Sequence, residues 1–154
     1  VARQLAKHQV GLSWNEVSRR YVDEEPEFFF PNEWRGKPIN SKQGSNGIIK
    51  EKPIDPIHLP WMTYDGFDSK TLCEILLDWY LTNINNGMAP EQARMILPLN
   101  TMTEWIWSGS LLAFIRVCKL RLDKHAQKET RDVAELIGNN VKTHFPVSWE
   151  SYMK

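Results

Sequence analysis

Between residues 69 and 85 the apolar side chains Leu72, Ile75, Leu76, Trp79 and Tyr80 recur three and four positions apart, the spacing of one helical face. Asp68 or Ser69 supplies an N-cap and Gly87 a stop, so the pattern predicts a helix to about Asn85. Pro90 opens a short helix through Ile96. Residues 111–121 return to helical period, and Asp123 to about Thr143 predicts a long helix that ends before Pro146. Val1 to Lys7 reads as a turn or two of helix, and Gly11, Ser13, Asn15 and Glu16 read as the loop after it. Strands are expected over Val17–Val22, Glu27–Phe30 and Asn100–Trp107, with Phe28, Phe29 and Phe30 buried on both faces.

Residues 31–60 carry five prolines and three glycines and predict one long irregular loop, a lid or an interface arm. The strands are few and do not alternate with the helices, which predicts an α+β fold: a small, mostly antiparallel sheet packed against long helices. At 154 residues the length prior is a single domain, 1–154. Val1, Ala2, Leu5 and Ala6 form a helical face with no cap before it, as though the chain starts inside a larger domain.

Nineteen basic and nineteen acidic residues leave a formal net charge of zero, so the molecule as a whole has no electrostatic reason to seek nucleic acid or an anionic membrane. No apolar run reaches the ~18 residues of a membrane span. The seven tryptophans would suit stacking on single strands, but Trp79, Trp105 and Trp107 lie on core-like faces and read as structural. Cys73 and Cys118 match no metal spacing and favour a reducing, cytoplasmic setting. No metal is expected, and no phosphate loop, nucleophile elbow or carboxylate pair stands out.

Three polar groups remain. Gln4, Lys7, His8, Gln9, Asn15, Glu16, Ser18, Arg19, Arg20 and Tyr21 crowd eighteen positions. On a strand Ser18 and Arg20 would face one side and could converge on one phosphate, with Arg19 turned away; on this segment alone a solvated basic edge strand is the reading to prefer. Arg94 sits beside Met95, Ile96 and Leu97, which predicts buried surroundings and a need for an anion, or for Glu91 three residues earlier. Arg121, Asp123, His125, Gln127 and Glu129 follow an apolar helix carrying Arg116 and Lys119. If that helix ran on, Arg121 and His125 would share a face; a lone helical His is usually a packed, hydrogen-bonded residue.

Lys7-His8-Gln9, eight residues, then Ser18 resembles the signature of flavin-dependent thymidylate synthases: Arg-His-Arg, seven or eight residues, then Ser. Pro90-Glu91-Gln92-Ala93-Arg94 leading to Leu97-Pro98-Leu99-Asn100, then Thr103-Glu104-Trp105, then Leu120 to Glu129, look like that family's later blocks in order. The resemblance implies reductive methylation of dUMP to dTMP, with methylenetetrahydrofolate giving the carbon, FAD carrying the hydride, NADPH reducing the flavin, and homotetramers with shared active sites. It implies a domain that begins well before Val1. Carried over by position, Gln4, Glu16, Ser18, Arg19, Arg20, Arg94 and Arg121 would hold dUMP, with Arg121 the catalytic contact to the pyrimidine. Lys7, His8, Gln9, Asn15, Glu16, Ser110 and Arg116 would line FAD, and Tyr21 would border the folate or nicotinamide. The chain departs from the pattern at Lys7 and Gln9, where the family has Arg, at Ser110, where Asn is common, and at Leu112, where an Arg commonly meets the flavin. A non-catalytic nucleotide-binding or scaffold homologue of the same fold is the alternative.

Overall fold

The structure, a computed structural model, describes residues 1–21, 24–38, 45–49 and 68–153. The chain divides into two compact units: Val1–Asn15, Arg35–Ile48 and Trp105–Lys154 form one, Glu16–Trp34 and Ile49–Glu104 the other. The elements are those of an α+β chain. They run α1 (Ala2–Leu5), β1 (Leu12–Glu16), β2 (Arg35–Gly36), β3 (Asn46–Ile48), α2 (Ser69–Asn85), α3 (Pro90–Ala93) with a 3-10 turn at Arg94–Ile96, β4 (Trp105–Gly109), α4 (Leu111–Arg121), α5 (Lys128–His144) and α6 (Pro146–Met153).

In the first unit β1 pairs with β4 and β2 with β3, the latter antiparallel. Leu12 and Trp14 of β1 and Trp105 and Trp107 of β4 turn inward and alternate with exposed residues, the period-two pattern of a half-covered sheet. Trp14 stacks on Trp105 at 4.4 Å, and Trp107 meets Phe114 of α4 edge-on at 5.5 Å. Ser110 caps α4 by accepting the Ala113 N–H at 3.2 Å, and α4 buries Ala113, Ile115, Val117 and Cys118. The facing side of α5 is Thr130, Ala134, Gly138 and Val141, a stripe of small residues that lets the helices approach closely. A Cβ on Gly138 would stand 2.9 Å from the Trp149 ring of α6. The Cys118 thiol reaches the Ala134 carbonyl at 3.6 Å, and burial pushes its pKa up to about 11, so it is a packing group and not a nucleophile.

In the second unit Asp68 caps α2 by accepting the Thr71 N–H at 2.8 Å, and Gly87 takes the positive φ of 85° that ends the run. Cys73 and Tyr80 are buried, while Leu72, Ile75 and Trp79 are more than two-fifths exposed. Phe28 bridges Thr101, and Asn100 donates to the Phe29 carbonyl at 3.1 Å.

Several expectations are corrected. The strand expected at Val17–Val22 lies at Leu12–Glu16: Ser13 and Asn15 are the outward positions of an alternating strand, not loop residues. Glu27–Phe30 makes one bridge at Phe28, and Phe29 and Phe30 are exposed. The third strand is Trp105–Gly109. The last long helix begins at Lys128, because the Asp123 carboxylate takes the His125 N–H at 2.7 Å and folds residues 122–127 into a turn. Arg121 and His125 therefore share no helical face. α6 lies beyond the expected stop. Of the expected loop, residues 39–44 and 50–60 lie outside the described residues, whereas Arg35–Gly36 and Asn46–Ile48 form β2 and β3.

Gly109 crosses Gly11 so closely that a Cβ would fall on the Gly11 carbonyl oxygen and the Leu12 side chain. Gly109→Ala is expected to cost about 1–3 kcal/mol, read as a lower urea midpoint; an unchanged midpoint would contradict the packing of β1 on β4.

Candidate functional site

Arg121, at the last turn of α4, is half-buried and points back toward the N-terminal residues of its unit. Its Nε donates to His8 Nε2 at 2.9 Å and its Nη2 to the Gln4 backbone carbonyl at 3.0 Å. A guanidinium has only donors to offer, so His8 must accept, and the imidazole is the neutral tautomer with its proton on Nδ1. Burial and the adjacent Arg121 charge both lower the His8 pKa. His8 also meets Trp107 edge-on at 6.5 Å. The Trp107 indole N–H is buried and has no partner among the described residues.

The Gln4 side chain is held on both sides. Its Nε2 donates to Gln127 Oε1 at 2.9 Å, and its Oε1 accepts from Thr130 Oγ1 at 2.9 Å. Gln127 donates in turn to Glu129 Oε2 at 3.0 Å. Glu129 takes the other end of its carboxylate to Arg35, with both side chains largely covered, and Arg35 also donates to Ser45 at 2.9 Å. Gly11 brings the segment after His8 against the start of α4: a Cβ there would stand 3.1 Å from Ser110 Oγ and 3.3 Å from Ala113 Cβ. Lys7 and Gln9, exposed on this segment, carry no side-chain partner among the described residues, nor does Arg116 on the exposed face of α4.

In the second unit Ser18, Arg19, Arg20 and Tyr21 occupy a turn and not a strand. The turn still joins the pair that a strand was expected to align: Arg20 Nε donates to Ser18 Oγ at 3.1 Å. Arg19 is committed to the Glu24 carbonyl at 2.6 Å, and Arg20 lies 5.1 Å over the Tyr21 ring. Thr103 donates to Glu16 at 2.7 Å. Arg94 and its neighbour Met95 are exposed, Met95 by 81%, so the buried surroundings expected of Arg94 are absent. Its neighbours form a 3-10 turn whose apolar side chains face outward. Asn15 is an exposed outward residue of β1.

Residues 1–147 match the family model described as thymidylate synthase complementing protein. The chain belongs to that family. It is 31% identical over its whole length to a flavin-dependent thymidylate synthase of Thermosipho africanus, covering 64% of that protein, and 33% identical to one of Treponema denticola, covering 55%. It therefore spans about half to two thirds of the length of these curated relatives. A crystal structure of the UMP/dUMP methylase PolB from Streptomyces cacaoi, bound with 5-Br UMP, shares the fold, with a TM-score of 0.75 and 20% identity over 98% of this chain and 67% of that one.

Sequence reasoning missed Arg35 and Thr130. Arg35 falls in a stretch read only as loop, and Thr130 on a helix face read only as periodic. No local signal marks either one, since their partners Glu129 and Gln4 lie 94 and 126 residues away.

Burial of Glu129 favours its neutral form, but the hydrogen bond from Arg35, its own backbone N–H, the Gln127 amide and the Arg35 charge outweigh this and hold the carboxyl below its usual range. A lowered carboxyl pKa contributes stability that is complete above the ordinary value near 4.5 and is lost as pH falls through the folded value. Glu129→Gln is expected to be less stable than wild type at neutral pH and to lose less stability between about pH 5 and about pH 3. Parallel pH profiles of the unfolding midpoints would contradict the Arg35–Glu129 account.

Proposed function

We propose that the protein carrying this chain is a flavin-dependent thymidylate synthase that converts dUMP to dTMP, taking its carbon from methylenetetrahydrofolate and its reducing equivalents from NADPH. One observation carries the proposal: Arg121 is held between His8 and the Gln4 carbonyl, joining the first and last blocks of the family pattern. Two of its five N–H donors are used there, and the others have no partner among the described residues. A fixed cation with free donors is suited to a uracil edge, where it stabilises the negative charge that develops as carbon 5 becomes nucleophilic. Neutral His8 supports that cation without competing with the substrate for negative charge. Ser18 and Arg20, already joined, offer a hydroxyl and a guanidinium to the nucleotide phosphate, with the Arg19 backbone beside them, and Glu16 and Arg94 complete the dUMP contacts. Gln4 serves here with its side chain already engaged.

FAD, when bound, supplies the hydride chemistry. The residues fit such a group: Lys7 and Arg116 offer positive charge, Gln9 an amide, Asn15 and Glu16 polar groups, and His8 and Trp107 aromatic faces beside an unpartnered indole N–H. Ser110 has given its oxygen to the α4 cap and retains its hydroxyl proton. Lys7 keeps charge without the guanidinium fork, while Gln9 and Leu112 carry none, so Lys7 and Arg116 bear the phosphates. Tyr21 borders the folate or nicotinamide side. The proposal takes 1–154 as part of one enzyme domain, in a cytoplasmic homotetramer; the outward Leu72, Ile75, Trp79, Met95 and Leu99 support burial against other subunits. No described helix is long and apolar enough to cross a membrane. The uncharged Gln9 and Leu112 favour one other reading, a nucleotide-binding homologue without turnover.

The test is conversion of dUMP to dTMP by the full-length protein with FAD, NADPH and methylenetetrahydrofolate. Arg121→Ala is expected to lower kcat on the order of a hundredfold or more, with the fold retained and the unfolding midpoint lowered by the loss of its hydrogen bonds to His8 and Gln4; an active Arg121→Ala enzyme would overturn its role. Arg94→Ala is expected to weaken dUMP binding about tenfold and leave FAD binding unchanged. Equal losses for both ligands would contradict the assignment of Arg94 to dUMP.

A further inference from the structure

The hydrogen-bonded chain that ends at Arg121 has a fixed direction. Arg35 can only donate and the Glu129 carboxylate can only accept, so Gln127 must present its Nε2 to Glu129. That turns Gln127 Oε1 toward Gln4, whose Nε2 donates to it. What remains of the Gln4 amide is Oε1, and only a donor can satisfy it. Thr130 Oγ1 supplies that donor from a residue with no exposed surface. The backbone carbonyl of Gln4 then accepts from Arg121, whose Nε goes to His8.

We infer that Thr130 is a positioning residue: its buried hydroxyl, working with Gln127, locks the Gln4 side chain and so keeps the Gln4 carbonyl in place for Arg121. Packing alone does not require a hydroxyl in the first turn of α5. Valine has the same shape and would fill the space between α4 and α5 as well. What valine lacks is the proton for Gln4 Oε1, and an acceptor left unpaired in covered surroundings is costly. Thr130 touches neither substrate nor cofactor in this account. Its effect on turnover rests on the function proposed above, whereas its effect on the Arg121–His8 contact does not.

The test compares Thr130→Val, which keeps shape and loses the hydroxyl, with Thr130→Ser, which keeps the hydroxyl and loses a methyl group, in the full-length protein. The ring of His8, one of four histidines in this sequence, is followed by NMR across pH; the groups that face it among the described residues are Arg121 and Trp107. In Thr130→Val the His8 midpoint is expected to rise toward that of a free imidazole as Arg121 loosens, and kcat/KM for dUMP to fall about tenfold. Thr130→Ser is expected to keep the wild-type midpoint and lie within about twofold in kcat/KM. The exposed Gln127→Met, which removes the other clamp without touching the core, is expected to shift His8 in the same direction. A Thr130 that only packs gives the reverse order, with Thr130→Val unchanged and Thr130→Ser impaired, and that result would overturn the inference. If the wild-type protein leaves dUMP unchanged, the proposed function fails, and the His8 midpoints still decide the role of Thr130.

Discussion

The contact on which the first unit depends is the grip of His8 and the Gln4 carbonyl on Arg121. It joins the N-terminal segment to the end of α4 across 113 residues of sequence, and it fixes a charge that would otherwise swing into solvent. A half-covered guanidinium is stable there only because both partners accept and because His8 is kept neutral by burial and by Arg121 itself. The surrounding structure supplies what that contact needs. Small residues on α5 bring it against α4, Gly11 lets the segment after His8 lie on the α4 start, and Arg35 anchors Glu129 at the far end of the same hydrogen-bonded chain.

The second unit solves a different problem. Ser18 and Arg20 come together in a turn through their own hydrogen bond, so the hydroxyl and the guanidinium meet without strand geometry. Arg19 is spent on the Glu24 carbonyl and helps close that turn. The two clusters differ in kind: Arg121 is fixed by two partners from elsewhere in its own unit, whereas Ser18 and Arg20 hold each other within one turn.

Helices were the most legible part of the sequence. The bounds of α2 follow from apolar period, the Asp68 cap and the stop at Gly87, and those of α4 from apolar period alone, all local signals. The misplaced strand has an equally local cause, because Ser13 and Asn15 are polar outward positions of β1 that look like loop when the inward Leu12 and Trp14 are not counted with them. The late start of α5 turns on one side chain, Asp123, competing for the backbone. The exposure of Arg94 is not legible in the sequence, because its apolar neighbours imply burial within the chain, yet Met95 and Leu99 face outward. The family blocks revealed Arg121, His8 and Gln4 as residues of interest, but no spacing rule pairs them, and nothing local marks Thr130 or Arg35.

The proposed function requires that the full-length protein bind both a flavin and dUMP. Its most direct test is the visible absorption spectrum of the full-length protein after loading with FAD, removal of the excess and titration with dUMP. Flavin that stays with the protein, and whose absorption bands shift saturably with dUMP, is the predicted result. A protein that keeps no flavin, or whose flavin spectrum is indifferent to dUMP, would contradict the account.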